Sequence, residues 1–461
     1  MDSPSHPLED TSVRASDPGS EPRTFDPATY REFRYDGYTI ATGSDTVTST
    51  FSLVGEDTVR FTETIELPGL IRDEGAAEPV MRLLALASGL SYYKAAAPPS
   101  IRVSFGLTDH ERDFLTHLIR GGLGEYAYRN DLPHALTPLI EAEQRASLRQ
   151  PQLVDADAPP LIGVGGGKDS IVSIEACKRL GSTPVLFSVN QYPAITRCVD
   201  VAQCPYVSAR RLIDPTLFEI NRLGAYNGHV PVTAINSLIG VLTSHALGLG
   251  PTVFSNEASA NDGNLNWRGF DINHQWSKSL AFEDLLRDCL EAANDGPPPY
   301  FSLLRGLNEL QIAHRFSRLT QYFRSFTSCN KAFRLDQTLR RSHWCCQCPK
   351  CLFVYLVLAA WLPRDTMVDI FGQDILGDPS HEQEYAEILG LEGHKPFECV
   401  GEATEARAAL RLAALRPQWQ SSACVQALLP RIGVDTEPDQ GLGADTSNIP
   451  AAYLAALASL S

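Results

Sequence analysis

Residues 165 to 170 read Gly-Gly-Gly-Lys-Asp-Ser, directly after the apolar run Leu-Ile-Gly-Val at 161 to 164. A glycine turn between a buried strand and a helix is a ready anion site. The first helical N–H groups have no partner inside the helix, and the dipole favours negative charge there. Gly165, Gly166 and Gly167 let backbone approach an oxyanion, and Lys168 neutralises its charge. Ser170 caps the helix or donates to phosphate, and Asp169 caps the helix or positions a metal. The turn lacks the four-residue spacer and GK[ST] ending of a Walker A loop, and it is not G-x-G-x-x-G. A tight turn with no ligand is the alternative reading.

A second cluster lies between residues 329 and 351, in "SCNKAFR" and "HWCCQCPKC". Cys345, Cys348 and Cys351 form an overlapping C-x-x-C-x-x-C, and Cys329 stands upstream. That spacing lets successive thiolates reach one tetrahedral metal, with Cys329 as fourth ligand. Four thiolates would close the shell and make the site structural. Free thiols at a helix start are the alternative, and catalysis by Cys329 or Cys346 is a further one.

These groups need elements to hold them. Residues 1 to 28 are polar, acidic and rich in Pro and Ser, which reads as a disordered tail. Residues 29 to 150 begin with alternating polar and apolar stretches between 30 and 69, then two helical periods, an α+β domain. Residues 151 to 300 alternate strand and helix: Leu161 onward, "PVLFSV", the apolar helix at 232 to 248, and "TVFS" at 252 to 255. Such alternation implies a parallel sheet covered by helices, with ligands at the carboxyl ends of its strands. Residues 301 to 461 read as mainly helical. The longest apolar run, residues 352 to 362, suits a buried helix and is too short to span a bilayer.

The chain has 461 residues, 43% hydrophobic and 20% charged, with a formal net charge of -16. That charge disfavours nucleic acid as a partner. Eleven cysteines without a secretory signal imply a reducing cytoplasm.

The glycine turn resembles the SGGxDS pyrophosphate loop of the PP-loop ATP pyrophosphatases, which cleave ATP between its α and β phosphates and adenylate an acceptor. The usual Ser is Gly165 here. The one-plus-three cysteine spacing is similar to that of PP-loop deazaguanine synthases, where it holds zinc. Further stretches resemble the MurL family of epimerases: "SYYKAAAPP" (91 to 99), "NGHVPVTAINSL" (227 to 238), "SNEASAN" (255 to 261), "NHQWSKSLAFE" (273 to 283), "SCNKAFR…WCCQCPKCLFVYL" (328 to 356) and "HKPFECVGE" (394 to 402). This resemblance spans about residues 30 to 430. It implies an isomerase that inverts the terminal L-Glu of UDP-MurNAc-L-Ala-L-Glu for peptidoglycan synthesis, consuming ATP to AMP and pyrophosphate with Mg2+.

Inversion at Cα means removing a proton beside a carboxylate. The resulting dianion is very unstable, whereas adenylation makes that proton far more acidic. Because L-Ala acylates the glutamate nitrogen, the activated carboxyl can also close to an oxazolone. Proton transfer requires groups of tuned pKa. Glu257, just past the TVFS strand, is one candidate; His274, Lys278 and Glu283 are others, and His229 precedes an apolar helix. Each has an ordinary structural reading as well. Lys331, Arg334, Lys350 and Lys395 are candidates to meet the anionic substrate. Substrate recognition by the first domain, through SYYKAAAPP, is a further expectation. A PP-loop ligase adenylating another small acceptor, and a nucleotide-binding regulator with an inactive loop, are the rival readings.

Overall fold

A computed structural model of the chain describes residues 24–333, 340–341, 343–393, 396–433 and 445–460. The tail expected before residue 24 lies outside these residues. From there on the chain is anchored: Phe25 is buried, and its N–H bonds the Leu223 carbonyl at 2.9 Å.

The chain opens with β1 (Tyr30–Thr39), β2 (Thr46–Gly55) and β3 (Thr58–Glu66), an antiparallel meander. In β2 the alternation places Val47, Phe51 and Leu53 in the core. Helix α1 (Glu74–Tyr93) follows, capped by Asp73 and buried along most of its length. Next come β4 (Ser100–Leu107), α2 (Asp109–Gly122), α3 (Gly124–Asn130) and β5 (Leu139–Gln144). A Thr108–Glu111 capping box starts α2. The alternating region supplies β6 (Leu161–Gly163), α4 (Lys168–Cys177), β7 (Val185–Val189), α5 (Pro193–Ala202), β8 (Tyr206–Leu212), α6 (Pro215–Leu223), α7 (Val232–Leu247) and β9 (Thr252–Phe254). A small hairpin, β10 (Leu265–Trp267) and β11 (Phe270–Ile272), precedes α8 (Leu280–Ala293) and β12 (Tyr300–Ser302). Beyond β12 the described residues form helices and short helical turns: α9 (Glu309–Phe316), α10 (Pro349–Ala359), α11 (Arg364–Phe371), α12 (Glu382–Ile388), α13 (Ala403–Ala414), α14 (Ala423–Leu428) and α15 (Ala451–Ala458).

Ten strands form one sheet in the order β12-β9-β6-β7-β8-β3-β2-β1-β4-β5. Most of its pairings are parallel, and the meander is the antiparallel segment within it. The alternating strands and the meander are therefore continuous, joined where Thr64, Ile65 and Glu66 pair with Leu212, Arg211 and Arg210. Two apolar cores flank the sheet. One gathers α1, α2, α7 and α8; the other gathers α4, α9 and the helices from α10 on. The apolar run at 352 to 362 lies buried in the second core, as its length suggested. Among the described residues no helix is long and apolar enough to cross a membrane.

Among the strands from β6 on, the strand order reverses once. From β6 the chain moves outward through β7 and β8, then returns along α7 to set β9 on the other side of β6. Loops leaving two such neighbouring strands diverge and open a crevice at their carboxyl ends. Here those loops are the glycine turn after β6 and the Ser255–Glu257 segment after β9.

Candidate active site

A cleft of about 300 Å³ occupies that crevice. It is lined by Gly165, Gly167, Asp169 and Ser170 from the turn, Ser255 and Asn256 from the β9 loop, and Lys278, Lys350 and Cys399 from elsewhere in the chain.

The turn is shaped by local sterics. Gly166 has φ +78, which favours glycine, and a Cβ there would press on the Ala194 backbone at 3.3 Å. A Cβ on Gly167 would come within 2.5 Å of Ser328 Oγ. Gly167 is the N-cap of α4 and brings no capping side chain, so the first-turn amides stand at the cleft. Ser170 Oγ donates to the Gly167 carbonyl at 3.1 Å. Gly165 differs from its neighbours: nothing lies within 4 Å of the position a Cβ would take. Gly165→Ser is therefore expected to fold normally, its melting temperature within about 2 °C of the wild type. A loss of several degrees would mean that the turn is more crowded than its geometry indicates.

Lys168 does not face the cleft. Its ammonium is buried between the carboxylates of Asp169 and Glu309, with side-chain exposures of 1%, 24% and 1% in that order. Burial works against the charge, but the two carboxylates hold Lys168 well above the ordinary lysine range. Asp169 is lowered against burial by Lys168 and Lys350, whereas burial raises Glu309. Glu309 reaches this place because Asn308 and Gln311 form a capping box that starts α9 one residue ahead of it. The Glu405 carboxylate accepts the Glu309 N–H at 2.8 Å and the Ser259 hydroxyl at 2.7 Å, tying α13 and α9 to the β9 loop. Burial, then Glu309, pushes Glu405 up to about 7.

Lys278 and His274 belong to the site. Lys278 Nζ donates to Cys399 Sγ at 3.2 Å, and the buried Glu257 is among the groups that favour its charge. His274 Nδ1 bonds Glu125 Oε2 at 2.5 Å, and the same ring bonds Cys399. His229 lies against His274 with ring centroids 4.5 Å apart and sits 3.8 Å from Glu125. Burial opposes ionisation of His274, yet hydrogen bonds to Cys399 and Glu125 raise it to about 9. Burial and the His274 charge lower His229 to about 4. Lys94, at the end of α1, donates to Asn227 and to the Gly228 carbonyl at 3.2 Å, so "SYYK" props the loop that carries His229.

Glu283 is not in the cleft. It forms a fully buried pair with Arg305 at 2.9 Å, both side chains 0% exposed. Arg305 also donates to the Glu257 carbonyl at 3.0 Å and the Lys278 carbonyl at 2.8 Å, so the pair fixes the backbone of two site residues. Lys350, at the first turn of α10, lines the cleft 3.9 Å from Glu309. Lys331 is not among the lining residues, and Arg334 and Lys395 lie outside the described residues.

The four cysteines come together as their spacing suggested: the sulfurs of Cys329, Cys345, Cys348 and Cys351 lie within 4.8 Å of one another. Cys346 is turned away by a positive φ of 57 and donates to the Phe371 carbonyl at 3.2 Å.

Cys399, Glu125, Glu309 and Arg305 escaped the sequence reading. Only Cys399 left a signal, as a cysteine standing apart from the cluster in "HKPFECVGE". Burial alone would raise its thiol; the Lys278 ammonium, the His274 hydrogen bond and Lys350 bring it down to about 5. Thiolate absorbance, taken as wild type minus Cys399→Ser, is expected to titrate with a midpoint near pH 5. A midpoint near 9 would show that the two cations do not reach the sulfur.

The fold and cleft define an α/β protein whose strand–glycine turn–helix opens on a cleft at a topological switch point, beside a thiol set between two cationic side chains. Comparison with known proteins narrows this class. Residues 24–303 match the MurL N-terminal domain, and residues 325–441 match the MurL C-terminal domain. A protein of Micromonospora sp. named UDP-N-acetyl-alpha-D-muramoyl-L-alanyl-L-glutamate epimerase is 45% identical over 408 residues, covering 87% of this chain and 90% of its own length. Proteins of the same name from Salinispora tropica and Xanthomonas oryzae are 45% and 38% identical, covering 90% and 82% of this chain and 91% and 85% of their own. No solved structure matches. The chain belongs to the MurL family, and it is an isomerase.

Proposed function

We propose that this chain inverts the terminal L-Glu of UDP-MurNAc-L-Ala-L-Glu to D-Glu, with ATP consumed to AMP and pyrophosphate. The substrate is the one in the relatives' names. The ATP step is supported by one observation above all: the PP-loop-like turn presents its helix amides and Asp169 to the same cleft as Lys278, Lys350 and Cys399. Phosphate charge would meet the α4 amides and the two lysines. Asp169 is a quarter exposed at the cleft and suits magnesium, which prefers carboxylate and phosphate oxygen. Adenylation then gives the glutamyl α-carboxylate a leaving group and acidifies its α-proton. His229, His274, Glu125, Glu257 and Lys278 form the buried or half-buried set from which proton transfer is drawn. The same reading places the enzyme in a reducing cytoplasm, where the cluster thiols stay available as metal ligands.

The cysteine cluster fits structural zinc. Tetrahedral thiolates about 2.3 Å from zinc stand about 3.8 Å apart, and the Cys348–Cys351 and Cys345–Cys351 sulfur pairs are separated by 3.4 and 3.7 Å. Metal analysis of the purified protein is expected to give one zinc per chain, and chelation to lower the melting temperature. A metal-free protein with an unchanged melting temperature would leave four free thiols.

The enzyme is tested with ATP, magnesium and UDP-MurNAc-L-Ala-L-Glu in deuterated water. AMP together with Cα-deuterated D-Glu supports the reading. AMP without D-Glu points to a PP-loop ligase missing its second substrate. No AMP, with D-Glu formed all the same, removes the ATP step.

A further inference from the structure

Resting on that reading, we propose that Cys399 is a nucleophile in the reaction: it takes the glutamyl acyl group from the adenylate, and epimerisation passes through a thioester.

Three observations carry this. The first is position. Cys399 lines the same cleft as Gly165, Gly167, Asp169 and Ser170, so an acyl phosphate held by the turn lies in the space the sulfur faces. The second is the surroundings. Lys278 donates to the sulfur at 3.2 Å and His274 bonds it, while Lys278 is also a cleft residue. Two cationic donors hold a thiolate, and they remain in place to receive negative charge on a tetrahedral carbonyl oxygen.

The third is how the thiol is held. Residues 396 to 400 have no regular secondary structure, yet they are fastened along their length. Asn264 donates to the Pro396 carbonyl at 3.1 Å, and Gln275 to the Val400 carbonyl at 3.2 Å. Phe397 lies against Tyr128, centroids 5.4 Å apart, with the Arg129 guanidinium 4.9 Å from its ring. Asn330 donates to Glu398. A loop fixed at each of these points presents its sulfur in one place, as a reacting group requires. Other cysteines outside the cluster differ: Cys177, Cys198, Cys289 and Cys424 are buried, and burial raises their thiols.

Nucleophilic attack suits this thiol better than proton abstraction. A thiolate that stays ionised well below neutral pH is a weak base but still a good nucleophile. In the step itself, Sγ attacks the carbonyl carbon of the acyl adenylate. The C–S bond forms, the C–O bond to the AMP phosphate breaks, and AMP leaves with that electron pair. The thioester keeps the α-proton acidic after the nucleotide has left and holds the glutamyl residue while the proton exchanges. Water then adds to the carbonyl, the C–S bond breaks with its electron pair returning to sulfur, the thiolate and the α-carboxylate are restored, and both protons of the water pass to solvent. One water oxygen enters the α-carboxylate per turnover.

The full-length protein is mixed with ATP, magnesium and UDP-MurNAc-L-Ala-L-Glu, quenched in acid and weighed intact. An adduct of the substrate's mass less water is expected, mapped to Cys399 and released by neutral hydroxylamine. Cys399→Ala is expected to lose D-Glu formation by about a thousandfold or more. It should still exchange labelled pyrophosphate into ATP in the presence of the dipeptide substrate, which also shows that it is folded. Cys399→Ser serves as a second variant should Cys399→Ala fail to fold. D-Glu formation by either variant within about tenfold of the wild type overturns the proposal. So does wild-type enzyme that makes AMP and D-Glu at full rate with no adduct on Cys399, which would assign the thiol to proton transfer. Wild-type enzyme that makes no AMP fails the ATP reading itself and takes the thioester with it.

Discussion

Lys168→Met is expected to lower the stability of the protein by about 3–5 kcal/mol, the usual cost of removing one partner from a buried ion pair. Methionine nearly matches the lysine stem in volume, so little of the loss comes from packing. What remains is Glu309, 1% exposed, with its nearest remaining cation Lys350 at 3.9 Å. Burial already raises Glu309 above its ordinary 4.5, and the loss of Lys168 raises it further. A carboxylate whose folded pKa exceeds its unfolded one loses stability as pH rises through that interval. The deficit against wild type should therefore widen from about pH 5 to about pH 8. Urea unfolding at the two pH values measures both effects. A loss below about 1 kcal/mol, or a deficit independent of pH, would mean that Lys168 does not stabilise Glu309. The double variant Lys168→Met/Glu309→Leu should recover most of the stability, since neither charge is then left alone.

This pair also shows where sequence reading succeeds and where it stops. The glycine turn was legible because its signal is local: an apolar strand, a run of glycines and a helix start are consecutive. The cysteine cluster was legible for the same reason, three of its four members lying within one C-x-x-C-x-x-C. Lys168 was read as a phosphate ligand from its place in the turn, yet the fold turns it onto Glu309, 141 residues away. Nothing near Lys168 in sequence marks that partner. Cys399 was missed similarly, its ammonium partner Lys278 lying 121 residues off. Glu283 was legible as a polar residue in a dense motif, but not as the mate of Arg305. The sheet follows the same rule. Alternation within each strand was visible, whereas the β3–β8 pairing that joins the meander to the parallel strands is a long-range register with no local mark.

The Arg305–Glu283 pair separates stability from catalysis. Arg305→Met leaves the Glu283 carboxylate buried at 0% exposure without its guanidinium, and about 3–5 kcal/mol of stability should be lost. The same change removes the donors that hold the Glu257 and Lys278 carbonyls. Arg305→Met/Glu283→Leu removes both charges, so its urea midpoint should return most of the way to the wild-type value. Its turnover should not return. Both side chains would still be present, but the carbonyls that fix the backbone of Lys278 and Glu257 would have lost their donors. An ångström of freedom at Lys278 is enough to weaken its 3.2 Å contact with Cys399, and displacements of that size cost on the order of a hundredfold in rate. The expected double variant is thus a stable protein whose kcat for D-Glu formation is down by about that factor. If stability and turnover recovered together, Arg305 would serve the fold alone, and the placement of Lys278 beside the thiol would depend on other contacts.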